Sequence, residues 1–330
     1  MIVGQGDFRY EVADGWEQLP AGWVHGDVAG VATDSLERVY VFNRGDHPLV
    51  VYDRDGHFLT SWGEGVFTRP HGITIQDDII YLADDSDHTV RKFTLEGKLL
   101  QTLGRANQPS DTGYVSGPGP NLTTIERGAG PFNRPTRLRV APSGEMYVSD
   151  GYGNARVHRF SADGQLIQSW GGPGTGPGQF NLPHSVWVYT DGRVFVCDRE
   201  NDRIQIFSPD GVFLDAWAVR RPGDLYIDAA GNVYIGEMYH QKGSMSLSGR
   251  TWSEEQPAQM TVRDISGKVI CRFGETGDPC SEGNLVSPHG IWVDGRGDIY
   301  VGEVTQTSLG NRGAVYKKGD PSLRKFIRVR

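Results

Sequence analysis

Cysteine is scarce in this sequence: Cys197, Cys271 and Cys280 are the only three in 330 residues. None has the CxxC spacing of a metal site, and a chain of this size has no need of a disulfide framework. Cys271 and Cys280 are therefore read as reduced thiols rather than a bridge. Long apolar runs are missing too, since nothing approaches the ~18 consecutive residues of a membrane-spanning helix. The first residues, "MIVGQGDFRYEVADGWEQ", lack the basic and apolar regions of an export signal. The expectation is a soluble, cytoplasmic chain. Positive charge is also in short supply. With 33 Lys and Arg against 41 Asp and Glu, the net charge is -8 and the pI about 5.6. That balance argues against nucleic acid or a membrane surface as a partner.

Glycine, by contrast, is abundant at 45 residues, alongside 18 Pro, 8 Trp, 13 Tyr and 13 Phe. This composition points to many short strands joined by tight turns, hence an all-β protein. The segment "HGITIQDDIIYLADDSDHTVRKFTLEGKLLQTLG" (71–104) reads as four short strands separated by turn residues, and its order recurs along the chain. Six copies begin near "VAGVAT", "HGITI", "TRLRV", "HSVWV", "GDLYI" and "HGIWV". Six four-stranded units predict a six-bladed β-propeller of antiparallel blades around a central channel, in one domain. The blades fall near 28–66, 70–104, 134–172, 182–219, 222–274 and 287–330. Two stretches, 105–133 and 241–260, exceed the repeat and are expected to be long loops.

In register, the first-strand position is Ala29, His71, Thr136, His184, Gly223 and His289. Histidine thus occupies alternate blades, which in a propeller lie roughly 120° apart at one height of the channel. Three imidazoles so placed form a facial site with open positions for water or substrate. Zinc is the first choice of metal, with iron or another divalent transition metal also compatible. Fourteen residues on (thirteen in blade two) stands a polar residue: Asn43, Asp84, Asp150, Asp198, Glu237 and Glu303. This ring is expected to serve structure, as turn and blade-to-blade hydrogen-bonding groups. Just after it the repeat becomes irregular, and Arg44, Tyr152 and Arg199 would project toward the mouth over the histidines. Arginine favours a small substrate with a carboxylate, and a guanidinium favours the ionised form of a neighbouring phenol, which suits general-base chemistry.

The strings "GVATDSLERVYVFNRGDH", "RPHGI", "YVSDGYGNARVHRFSADGQLIQSWG", "PGQFNLPHSV" and "CDRENDRIQIF" resemble the peptidyl-α-hydroxyglycine α-amidating lyases, within the wider group of NHL-repeat propellers. The resemblance runs from about Val28 to Val301 and is weakest in blade five. It implies a zinc held by His71, His184 and His289, Tyr152 as the catalytic tyrosine, and Arg44 and Arg199 as active-site arginines. It implies cleavage of the C–N bond of a carbinolamide, R-CO-NH-CH(OH)-COO⁻, to an amide and glyoxylate. Two departures stand out. Where animal members place a calcium-ligating Asp after the third histidine, this chain has Gly290, so calcium is not carried over. Gly153 replaces a disulfide-forming Cys. No copper monooxygenase domain of the kind that makes the animal substrate is expected in these 330 residues, and the alternative substrate is another small α-hydroxy acid such as ureidoglycolate, a lactone or a hydratable compound. A non-catalytic protein-binding propeller is the remaining alternative.

Overall fold

The computed structural model describes residues 1–117, 121–274, 278–311, 313–317 and 319–330. These form six antiparallel sheets, and the fold is a six-bladed β-propeller. Contacts divide the chain into two compact units. One comprises Met1–Val66, Gly223–Gln241 and Glu254–Arg330; the other comprises Phe67–Pro222 and Lys242–Ser253.

The second unit holds blades two, three and four, each a meander of consecutive strands. Blade two runs through Pro70–Gln76, Ile79–Asp84, Thr89–Thr94 and Leu99–Gly104. Blade three takes Pro135–Val140, Met146–Asp150, Arg156–Phe160 and Leu166–Trp170, and blade four Pro183–Val188, Val194–Asp198, Arg203–Phe207 and Phe213–Ala218. The inner two strands of each blade are buried on both faces, so they read as nearly continuous apolar runs, whereas the fourth strands are largely exposed. Val148, Leu138, Phe160 and Phe132 pack with Ala83 and Leu103 between blades two and three. Val157, Trp170, Val196 and Phe207 do so between blades three and four.

The first unit holds blade one (Val28–Thr33, Val39–Asn43, Leu49–Tyr52, Phe58–Trp62), blade five (Pro222–Ile227, Val233–Glu237, Gln259–Arg263, Val269–Phe273) and blade six. Blade six departs from the repeat. After Pro288–Val293 and Ile299–Glu303 the chain makes a short helix, Thr305–Asn311, before the third strand Leu323–Arg328. Its outer strands are Phe8–Val12 and Ile2–Gln5, from the other end of the chain. Val12 lies opposite Phe326 and Tyr10 opposite Arg328. The repeat template leaves these residues unassigned because it counts only sequence neighbours.

One local feature recurs in blades one, two, three, four and six. The ladder between first and second strands slips at the first-strand position, between Val28 and Gly30, Pro70 and Ile73, Pro135 and Arg137, Pro183 and Ser185, and Pro288 and Gly290. A bulge re-aims the residue it leaves unpaired. In three blades that residue is histidine.

Candidate metal and active site

In the second unit His71 and His184 lie with ring centroids 4.8 Å apart, and both are buried. His71 Nδ1 is 2.7 Å from the carbonyl of Thr136 in the next blade. A carbonyl can only accept, so Nδ1 carries the proton and Nε2 keeps its lone pair. Gly72 permits this approach, because a Cβ there would stand 2.4 Å from the same Thr136 oxygen and 2.9 Å from Arg137 Cα.

The same device operates in the first unit. His289 Nδ1 donates to the carbonyl of Ala29 at 2.9 Å, and a Cβ on Gly290 would meet Gly30 Cα at 2.5 Å and Ala29 O at 2.9 Å. Residue 290 is thus glycine for want of space between two strands, which is a physical reason for the missing aspartate. Gly153 is confined likewise, since its Cβ would fall 2.2 Å from Asn133 Oδ1. Cys197, Cys271 and Cys280 are free thiols.

Tyr152 points its hydroxyl at His184 Nε2, 3.2 Å away, while Arg199 Nη1 donates to the same hydroxyl at 3.1 Å. The guanidinium can only donate, so the hydroxyl oxygen accepts from Arg199. His71 and His184 of the second unit and His289 of the first are all buried, and they are the three histidines that could serve as metal ligands. His71 and His289 keep their Nε2 lone pairs, fixed by the hydrogen bonds from Nδ1 to carbonyls, and that is the donor form a divalent transition metal takes.

Arg199 is oriented by its neighbour. Its Nε donates to Glu200 Oε1 at 2.9 Å, and the same oxygen receives Arg221 Nε and Nη2 at 3.3 Å. Burial pushes the Glu200 carboxyl up, but Arg221 and Arg199 outweigh it and hold the group below its usual range. Around the Tyr152 ring stand three guanidinium carbons: Arg199 at 5.5 Å, and Arg69 and Arg134 each at 5.7 Å. Arg69 and Arg134 share the buried Asp85 carboxylate.

The polar ring proves structural. Asp84, Asp150, Asp198 and Glu303 accept backbone N–H groups from the segment entering their own blade, at Arg69, Asn133, Asn181 and Ser287 respectively. Asn43 does the same for Gly26. This staple lays the residue after the ring beside the blade's opening: Arg199 N bonds Leu182 O, Tyr152 N bonds Arg134 O, and Arg44 N bonds Asp27 O. Desolvation raises Asp198 to about 6 despite its bonds to Asn201 and Arg203.

Of the residues singled out in the sequence, His71, His184, Tyr152 and Arg199 are thus brought together within the second unit. His289 and Arg44 belong to the first, where Arg44 Nη1 lies 3.5 Å from Asp27 Oδ2. Arg69, Arg134, Arg221, Asp85 and Glu200 were not assigned from the sequence. A signal existed: Arg stands directly before the Pro that opens blades two, three and five.

Fold and site define an NHL-type six-bladed propeller with a triple-histidine group. The NHL repeat model matches residues 180–207. NHL repeat-containing protein 3 of Homo sapiens is 36% identical over 222 residues, covering 63% of this chain and 59% of its own. The peptidyl-glycine alpha-amidating monooxygenase of Mus musculus is 34% identical over 336 residues, 90% of this chain and 31% of that one. Peptidyl-alpha-hydroxyglycine alpha-amidating lyase 1 of Drosophila melanogaster is 29% identical over 281 residues, 78% and 46% of the two chains. Among solved structures, a streptogramin B lyase matches with a TM-score of 0.59 at 11% identity, covering 96% of this chain and 97% of that one, a likeness of fold. The chain carries an NHL repeat and is similar, at about 30% identity, to relatives named peptidyl-alpha-hydroxyglycine alpha-amidating lyase. It spans less than two thirds of the length of the curated relatives named here. Among the described residues no helix is long and apolar enough to cross a membrane.

Proposed function

We propose that the protein is a metal-dependent lyase that cleaves the C–N bond of an N-substituted α-hydroxyglycine, releasing an amide and glyoxylate. The observation that carries this reading is the Tyr152 hydroxyl, held between His184 Nε2 and Arg199 Nη1 in a buried site. His71, His184 and His289 would hold the metal, with zinc the best match to three neutral imidazoles. When bound, such a metal supplies Lewis acidity, polarising an oxygen and easing loss of its proton.

Tyr152 moves the proton. As the tyrosinate, it takes the proton from the substrate's hydroxyl, the C–O bond becomes a carbonyl as the C–N bond breaks, and it returns that proton to the departing nitrogen to give the amide. No electrons are gained or lost overall, so no redox cofactor is required. Arg199, fixed by Glu200, binds the carboxylate that becomes glyoxylate's. Arg44 is the second active-site arginine by family resemblance. The lyase-named relatives support this chemistry.

The test is the metal content of protein purified without chelators or a histidine tag, followed by glyoxylate release from an N-acyl-α-hydroxyglycine. Tyr152→Phe is expected to retain metal and lose about 10²–10⁴ in kcat. Full activity in that variant would remove Tyr152 from the mechanism, and protein with neither metal nor activity would leave a binding scaffold.

A further inference from the structure

Two clusters of opposite charges adjoin Tyr152, and the proposed reaction uses one. In the first, Arg199 and Arg221 share Glu200, and Arg199 reaches the tyrosine hydroxyl. In the second, Arg69 and Arg134 share Asp85, which also accepts from Ser86 Oγ at 2.9 Å. Two guanidinium groups against one carboxylate leave this second cluster with an excess positive charge. Neighbouring acids do not cancel it by direct pairing. Asp84 is occupied by the backbone N–H groups of Thr68, Arg69, Ser86 and Asp87, and Asp87 is paired with Arg91.

Exposure decides what this charge can do. Asp85 is fully buried, while the side chains of Arg69 and Arg134 keep 30% and 16% of their surface accessible. The carboxylate therefore anchors the two forks from behind and leaves donors that a ligand can reach. The apolar group beside Tyr152 is different. Leu122, Ile125 and Leu182 are buried against one another and the tyrosine, so that wall is filled by its own side chains. Arg134 also donates to Tyr114 of the long loop at 3.1 Å, which brings the 105–133 excursion to the edge of the cluster.

We infer that Arg69 and Arg134, anchored by Asp85, form a second anion subsite that takes a carboxylate on the N-substituent of the substrate. The preferred substrate is then a dianion: one carboxylate at the reacting carbon, and another on the acyl group a few bonds beyond the nitrogen. Paired guanidinium forks suit a planar carboxylate, which accepts two parallel hydrogen bonds. This assignment rests on the lyase reading for the identity of the reacting end, but not for the binding preference.

Two pairs of probes separate the two ideas. N-Succinylglycine and N-pentanoylglycine have similar length, differ in the terminal charge and lack the hydroxyl, so they report binding alone. By calorimetry at low salt the succinyl compound should bind at least tenfold tighter, about 1.4 kcal/mol. Raising the ionic strength should shrink that margin. Arg69→Gln and Arg134→Gln should each cut the ratio to about threefold or less, and Arg69→Lys, which keeps the charge without the fork, should retain part of it. Equal affinity of the two compounds for the wild-type protein overturns the subsite, whether or not any variant folds. The hydroxylated pair, N-succinyl- and N-pentanoyl-α-hydroxyglycine, then tests chemistry. Glyoxylate from both, with kcat/KM no higher for the succinyl compound, keeps the lyase and rejects the subsite. Glyoxylate from neither, with the tenfold binding ratio intact, rejects the lyase and keeps the subsite.

Discussion

Gly72→Ala tests the link between the sequence motif and the site most directly. An added Cβ would stand 2.4 Å from Thr136 O and 2.9 Å from Arg137 Cα, where ordinary contact begins at 3.4 Å. Both obstacles are backbone, so the inner strands of blades two and three must part by about 1 Å to accept a methyl group. That movement stretches the 2.7 Å bond from His71 Nδ1 to Thr136 O past the ~3.5 Å at which it ceases to count as a hydrogen bond. Overpacking of this kind costs about 1–3 kcal/mol and the lost hydrogen bond about 1 kcal/mol more. At about 2–4 °C per kcal/mol for a sizeable domain, the metal-free variant should melt about 4–16 °C lower. With the imidazole no longer held in its Nδ1–H form, metal affinity should fall about 10–100-fold. Thermal melting in chelator and a competitive metal titration measure the two effects separately. Gly172→Ala, where a Cβ would meet nothing within 4 Å, is the control. An unchanged melting temperature would refute the packing argument. A lowered melting temperature with unchanged affinity would refute the role given to the carbonyl.

Gly290→Asp, which restores the residue found in animal lyases, should destabilise the protein rather than create a calcium site, because Gly30 Cα lies 2.5 Å from the new Cβ; calorimetry with and without calcium reads both effects. Glu200→Ala leaves Arg199 and Arg221 buried without their shared carboxylate and should lower stability in urea by about 3–5 kcal/mol; a loss under about 1 kcal/mol would mean the pair is solvated. Burial lowers His25 to about 4, so the unfolded chain binds the extra proton between about pH 6.5 and pH 4. Stability from this group is full above pH 6.5 and falls by up to about 1.4 kcal/mol per pH unit on acidification through that window. His25→Gln should show a shallower pH dependence in urea melts, and parallel curves would contradict the assignment.

The histidines were legible because the repeat is regular where it matters. The position the sequence marks is the one the bulge leaves unpaired, so a shared phase in the template becomes a shared orientation in space. The same regularity exposed the polar ring, in which Asp84, Asp150, Asp198 and Glu303 grip N–H groups some sixteen residues earlier, while Glu237 accepts from Gln259 and Thr261 instead. The arginines escaped notice for the converse reason. Arg69, Arg134 and Arg221 sit immediately before an opening proline, outside the strands being aligned; the staple from the polar ring lays the first two beside Tyr152, and Asp202 and Glu200 hold the third. The docking of the long loops, where Leu122 N bonds Leu247 O, depends on contacts more than a hundred residues apart that no local pattern records. Phe8–Val12 alternates buried and exposed residues as a strand should, yet nothing in those five residues tells which strand it will join.

The pairing of Phe8–Val12 with Leu323–Arg328 also sets a clock on synthesis. Arg328 Nη1 donates to Tyr10 Oη across 318 residues, so Phe8–Val12 waits for a strand made that much later. At ~5–20 residues per second, that wait lasts about 15–60 s on a ribosome, during which the early hairpin presents an open edge to any passing strand. Bringing such distant segments together is slow in its own right. The stage most exposed to misassembly therefore falls before blade six is complete, and a substitution confined to the first dozen residues would act on yield before it acted on activity.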